Sequence, residues 1–474
     1  MIKPGSDPDI AYCTAQDLKQ LYQARDLSPV DVMSSILRRI ETLNPSLNAF
    51  SVVMAEEAME QARRSEGRIA KAEARPLEGV PVTIKDSYEV KGQESETGCF
   101  AVRRGVAEKD NPVVHRLRHA GAVIFGKTTM SELAWSGISR NPVNGVTHNP
   151  WSHGLNAGAS SAGAAVAAAA GFGPLHLGSD GAGSIRMPAH FCGVFGHKPT
   201  YGRIPHISVS NNDYGTHIGP MSRSAADSAL MLKIMAGPHY LDHTCCEAPP
   251  EEYDNKLSVS IKGKKIAFSA DLGHAQVDPE ITSLVENAVD IFISDLGANV
   301  REITPEWGPE GREIGRFFWS ALQARSAKYL DQWEDKMGPD LVACIKYGAN
   351  YSANDYLDAR ERKYAYVSKI SATFEDWDYL ITPAVSVAAF PVDLVVPAHW
   401  EPQDWDWLTW AQFSYPFNMS QNPACSVPCG FTSDGLPVGL QIVGRRFDDL
   451  GVLQVANAFQ KATDFSWQRP PFTV

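Results

Sequence analysis

The sequence predicts an α/β protein, and three observations carry that expectation. Two short apolar runs bounded by glycine, at 80–84 and 122–125, flank a helix-patterned stretch at 113–120. The same buried-strand texture returns near the C-terminus, at 379–383, 424–428 and 438–443. A chain of 474 residues that is 44% hydrophobic can also bury a large core. Strands alternating with helices argue for an α/β layer architecture.

The elements follow in order. Residues 1–75 read as N-terminal helices packed on the core. Thr14 to Asp17 is a start signal ahead of Leu18 and Leu21. Ser28-Pro29 places a cap and a first-turn proline before a one-faced stripe through Val32, Ile36 and Leu43, ending at Asn44-Pro45. A third, charged helix spans 54–72. Residues 76–221 form the core that carries the chemistry. Residues 222–375 read as variable and mostly helical, with loops at 245–253 and 304–311. Residues 376–474 return to the sheet and close with a helix at 450–461. The first and last thirds thus build one sheet, interrupted by a helical middle. Four tryptophans (400, 405, 407, 410) fall on an acidic loop, where they are expected either to rim or cover a pocket, or to pack in the core or at an interface between copies.

Net charge −12 and a pI near 5.6 argue against nucleic acid as a partner. The first nine residues carry no apolar leader and no run of 18 apolar residues occurs, so a cytoplasmic protein with no membrane partner is expected. The eight cysteines show no Cys-x-x-Cys and no ligand spacing with histidine, so reduced thiols and no metal are expected.

The chemistry gathers in one Gly/Ala/Ser-rich tract. It reads Gly158-Ala-Ser-Ser-Ala-Gly163, an alanine run, then Gly178-Ser-Asp-Gly-Ala-Gly-Ser184-Ile-Arg186-Met-Pro188. Apolar residues through the tract (Val166, Phe172, Leu175, Leu177, Ile185) exclude a flexible linker. The alanine stretch at 164–170 fits a closely packed helix ended by Gly171 and Gly173. Gly181, Ala182 and Gly183 are small enough for their backbone N–H groups to converge as an oxyanion hole, leaving Ser184 exposed to attack a carbonyl. An ordinary turn serine is the alternative. A serine nucleophile needs a base, and no histidine stands in a triad context. Lys85 ends the apolar strand at 80–84, where a buried lysine must be paired or neutral. A neutral Lys85 could take the proton of Ser160, which could relay it from Ser184. An ion pair of Lys85 with Asp86 or Asp180 is the structural alternative.

These elements resemble the three pieces of the amidase signature family. Their order matches, as do the separations of 75 residues from Lys85 to Ser160 and 24 from Ser160 to Ser184. The likeness extends through Gly196-His-Lys-Pro-Thr-Tyr-Gly202 and Gly435-Leu-Pro-Val-Gly-Leu-Gln-Ile-Val-Gly444, weakest between about 222 and 375. It implies a single amidase domain over 1–474, with a large mixed sheet covered by helices on both faces. It also implies a Ser–cis-Ser–Lys triad: Ser184 as nucleophile, Ser160 (joined to Ala159 by a cis peptide) as shuttle, Lys85 as base. Asp180, Arg186 and Ser161 would support the site. No cofactor is implied. Alanine replaces glycine at 159 and 162, and Gly181-Ala182 stands where Thr-Gly is common, which bears on substrate choice.

The resemblance implies an amidase acting on a small amide or carbamate. One rival in the family is the A-type chain of the glutamyl-tRNA amidotransferases. Its glutamine site uses an aspartate and an arginine, which here fall at Ala411 and near Ala343-Cys344. Both charges are missing. Trp319, Phe317, Phe318, Tyr347 and Tyr351, with Met130, Leu133, Trp410, Phe413 and Tyr415 as candidate pocket residues, suggest a neutral aromatic pocket for an aryl or alkyl amide, an anilide or a carbamate; the same residues could be core. Urea-type or ester hydrolysis would use the same triad. A histidine-based esterase and a silent scaffold are the remaining alternatives. Any self-assembly is expected to be a homodimer.

Overall fold

The computed structural model describes residues 10–102, 104–207, 212–247 and 250–472. The reading of the first nine residues, and positions 248–249 of the 245–253 loop, lie outside them. The described residues build thirteen strands: β1 Phe50–Val53, β2 Pro81–Lys85, β3 Val123–Thr128, β4 Arg140–Asn141, β5 Gly145–Val146, β6 Leu175–Asp180, β7 Phe195–Lys198, β8 His217–Ser222, β9 Lys265–Phe268, β10 Asn299–Glu302, β11 Tyr379–Pro383, β12 Ala424–Phe431 and β13 Pro437–Gly444. Eleven form one mixed sheet in the order β1-β3-β2-β6-β8-β7-β12-β13-β11-β9-β10. β3, β2 and β6 run parallel at one end, and β11, β9 and β10 at the other, with antiparallel pairs between.

Alternation along β3 shows how the sheet is covered. Val123 and Phe125 pack with the helices Pro29–Leu47 and Ala162–Ala169, while Ile124 packs on the other side with Pro112–His119 and Ala225–Met235. A strand buried on both faces carries apolar side chains at nearly every position, as the run at 80–84 does, where Thr83 is the exception and bonds His176.

The N-terminal helices start where the sequence signals them. Ala15–Ala24 and Pro29–Leu47 each open with a capping box, Thr14 with Asp17 and Ser28 with Asp31. The second helix does not stop at Asn44-Pro45 but runs to Leu47. Burial of Leu43 and Leu47 holds its last turn, and Asn48 closes it by donating to the Asn44 carbonyl at 2.7 Å.

The middle of the chain is not wholly helical. β9 and β10 come from it and extend the sheet at its edge. The tryptophan loop is core, neither a rim nor a lid: Trp400 and Trp405 are 6% exposed, Trp407 and Trp410 not at all. The Trp407 and Trp319 indoles both donate to the Trp135 carbonyl, at 3.0 and 2.7 Å. Among the described residues no helix is long and apolar enough to cross a membrane. All eight cysteines are free, six of them buried.

Candidate active site

The functional side chains meet at the C-terminal ends of the parallel strands β2 and β6, where α/β sheets open their ligand crevices. β2 ends with Lys85 and β6 with Ser179 and Asp180. The loop after β6 carries Ser184 into the helix Arg186–Cys192, and Ser161 immediately precedes the helix Ala162–Ala169. The Ala159–Ser160 peptide is cis. Ser161 N–H donates to the Ser184 carbonyl at 3.2 Å, bringing the two halves of the tract together.

Lys85 is fully buried, and its Nζ reaches three hydroxyls: Ser160 Oγ at 2.8 Å, Ser161 Oγ at 2.9 Å and Ser179 Oγ at 2.9 Å. Among the described residues no carboxylate pairs with it. Asp86 turns instead to Lys127, at 3.0 Å, and Asp180 to Arg186. The strand end explains the first choice. Lys85 is the last residue of β2, and Asp86, first of the turn that follows, meets Lys127, which sits across from Ile84. Burial lowers the Lys85 amine to about 7, against a smaller upward pull from Asp180. Ser161 donates its proton to the Ser179 carbonyl at 3.0 Å and accepts from Ser179 N–H at 3.2 Å, so it can only accept from the lysine. Ser160 carries no such commitment. No hydrogen bond joins the Ser160 and Ser184 hydroxyls, although both face the same cavity.

Asp180 and Arg186 brace the loop. Two 2.9 Å contacts join them, and Asp180 also accepts Gly183 N–H at 2.7 Å and Ile185 N–H at 3.2 Å. Burial alone would raise the Asp180 carboxyl, but Arg186 overrides it and holds it well below the usual range. Arg186 reaches on to the Ser414 carbonyl, Gln441 and Asn418 at 3.0, 2.7 and 2.6 Å. The Asp180 bond corrects the expected oxyanion hole, because Gly183 N–H is already spent. Glycine at 183 has a different cause: φ is 115°, and a Cβ there would meet Ser414 Oγ at 2.5 Å.

Ser160, Ser179, Gly181 and Ser184 open onto a cavity of about 920 Å³. Met130 and Leu133 line it as expected, with Trp319. Trp410, Phe413 and Tyr415 do not. They are buried core, and Tyr415 borders only a small void behind the loop that also touches Gly181 and Ala182. Phe317, Phe318, Tyr347 and Tyr351 are also absent from the lining; they pack in an aromatic cluster in which Phe317 lies 4.3 Å from Tyr351 and Tyr347 lies 5.2 Å from Trp405. The cavity is therefore not the neutral aromatic pocket expected: Arg104, Lys109, Arg325 and Lys328 line it too. Sequence reading also passed over Ser179, although the alternation Leu175, Leu177, Ser179 on β6 was available to mark it.

Three of the four buried histidines are hydrogen-bonded elsewhere, and the fourth, His197, lies 3.6 Å from Asp449. His176 meets Thr83, His190 accepts the Gly439 N–H and donates to the Val387 carbonyl, His217 meets the Gly215 carbonyl, and burial lowers each. None of these three bonds Ser160 or Ser184. Among the described residues no three His, Cys, Asp or Glu side chains are placed to hold a metal.

Known proteins match this arrangement over its whole length. The amidase family profile matches residues 31–453. An acylamidase of Rhodococcus erythropolis is 36% identical, covering 98% of each chain. The A-type chain of a glutamyl-tRNA(Gln) amidotransferase from Roseiflexus sp. is 32% identical, covering 97% of this chain and 98% of that one. Among solved structures, a bacterial aryl acylamidase of the amidase signature enzymes superposes with a TM-score of 0.88 at 26% identity, covering 96% and 97% of the two chains.

Proposed function

The chain belongs to the amidase signature family and is an amidase, and from that premise we propose that it cleaves its substrate through an acyl-enzyme on Ser184, with Lys85 as base and Ser160 as proton shuttle. The observation that carries this reading is the fully buried Lys85 amine, lowered to about 7 and 2.8 Å from Ser160 Oγ with no carboxylate beside it. Its neutral form keeps two N–H bonds for Ser161 and Ser179 and offers its lone pair to the Ser160 proton. Ser160 in turn takes the Ser184 proton once the Ser184 side chain rotates onto it.

Ser184 Oγ then attacks the amide carbonyl. The developing oxyanion lies against the N–H groups of Gly181, Ala182 and Ser184, since that of Gly183 is held by Asp180. As the tetrahedral intermediate collapses, the proton on Lys85 returns through Ser160 to the leaving nitrogen, and the C–N bond breaks. Water enters, passes a proton along the same relay to Lys85 and attacks the ester; as the bond to Ser184 Oγ breaks, that proton returns through Ser160 to Ser184, and the acid leaves. Ser161 and Ser179 act as positioning residues for Lys85.

Met130, Leu133 and Trp319 beside the serines favour an apolar acyl or aryl group on a small amide, anilide or carbamate. The acylamidase relative supports the same class. Ala411 and Cys344, where the glutamine site of the amidotransferases would need charge, are buried and apolar, which weighs against glutamine.

Intact mass after treatment with a fluorophosphonate tests the mechanism. One adduct is expected on the wild type and none on Ser184→Ala or Lys85→Ala. Full labelling of Lys85→Ala would overturn the lysine base, and an unlabelled wild type the activated serine.

A further inference from the structure

Resting on the amidase reading, we propose that the cavity selects amides that carry an anionic group away from the scissile bond, gripped by the exposed Lys109, Arg325 and Lys328 of its lining. The lining differs in kind from buried to exposed side chains. Met130 and Trp319 are buried and Leu133 is half-buried, whereas Lys109, Arg325 and Lys328 are exposed and charged.

An account of those charges leaves the exposed lining positive. Of the two acids in the lining, Glu89 is paired with Arg104 at 3.0 Å, and Asp110 is held by Arg118 at 2.8 Å. Arg116, also in the lining, is absorbed by the carbonyls of Met235, Ala236, Gly237 and Pro238 at 2.6–3.0 Å. Lys109, Arg325 and Lys328 are exposed and have no ion pair among the described residues. Arg325 is exposed as a whole, but protein partly surrounds its guanidinium; that enclosure, and then Arg104, lower it.

A cation row on one helix face is ordinarily just solvated surface. Here the cations come from segments more than two hundred residues apart and line one cavity, in a chain of net charge −12. A cleft lined by one sign of charge, with low-dielectric walls, concentrates the field and draws in the opposite charge. A carboxylate also matches the planar donor fork of an arginine. The substrate class is then an amphiphilic amide, apolar at the carbonyl and carboxylate-bearing at the far end.

The carboxylate could sit on the leaving amine or on the acyl chain, and two matched pairs of ligands separate these. One pair is an N-acyl-4-aminobenzoate and its neutral 4-aminoacetophenone counterpart. The other is N-phenylsuccinamate and N-phenylpentanamide. Calorimetric binding to the Ser184→Ala variant, which holds ligand without turning it over, is compared with Ser184→Ala/Arg325→Gln and Ser184→Ala/Lys328→Gln. The expected result is at least tenfold tighter binding of the anionic partner in one pair. That preference falls towards unity in the double variants and shrinks as salt rises. Equal binding in both pairs, or a preference that survives both substitutions, overturns the proposal. Wild-type turnover of the same four ligands reads the amidase mechanism separately: binding preference without turnover leaves the anion site standing and removes the mechanism, and turnover without preference does the reverse.

Discussion

Two fully buried lysines stand on neighbouring parallel strands, Lys85 ending β2 and Lys127 near the end of β3, and they face opposite fates. Lys127 is one register position away, paired across from Ile84, and finds Asp86 at 3.0 Å. Lys85 finds only hydroxyls. Burial lowers both amines. For Lys127 the carboxylate pulls back, making it half of a structural ion pair that also bonds Ser95 and the Glu94 carbonyl. What separates a brace from a base is therefore the chemistry of the partners, not depth of burial. Serine hydroxyls satisfy an amine in either protonation state, whereas a carboxylate insists on the cation.

The largest effects come from removing the reactive pair. Ser184→Ala should lower kcat on a chromogenic anilide by about 10⁶-fold, and Lys85→Ala by about 10²–10⁴-fold, with unfolding curves close to wild type. Lys127→Ala should show the reverse pattern. It strands Asp86 in the interior and should cost about 3–5 kcal/mol in urea denaturation, while the folded fraction keeps its turnover. If Lys127→Ala silenced a stably folded enzyme, the division of labour would fail.

Ser179→Asp is meant to turn Lys85 into a second Lys127. A carboxylate beside the amine should move the midpoint of the kcat/KM profile up by about 1–3 pH units, so activity at neutral pH falls about tenfold or more and returns at high pH. An unmoved midpoint would mean another group governs the profile. The smallest effect is in the wild type itself. Lys85 must be neutral to accept the Ser160 proton, so kcat/KM should climb about tenfold per pH unit below a midpoint near 7 and level off above it. A fall in that window would point to a group needed in its protonated form.

The legible parts were those whose signals are local. Lys85 was readable because a charged residue ended an apolar run, and the serines because small residues crowded around them. β9 and β10 were missed for the opposite reason. They are four residues each, Lys-Ile-Ala-Phe and Asn-Val-Arg-Glu; β10 is the sheet edge, where charge is normal, and β9 beside it is too short to show a periodic pattern. The tryptophan loop was ambiguous because its polar neighbours are local while the groups that bury it, Trp135, Trp319 and the Val395 carbonyl, are assembled from elsewhere. The Gly183 N–H was counted for the oxyanion because sequence shows that a donor exists and not where it is spent. The exposed cavity lining was illegible throughout, since Arg325 and Lys328 lie in the stretch with least resemblance to anything familiar.

Arg186 gives the loop a dependence on chain completion. Three of its hydrogen bonds end on Ser414, Asn418 and Gln441, residues synthesised more than two hundred positions after the nucleophile. A ribosome that has made the lysine, both serines and the glycine turn has made every reacting atom, yet the brace behind them has nothing to hold. Hydrolytic power thus arrives last in the life of the chain, and a nascent or prematurely released polypeptide carries the motif without the enzyme.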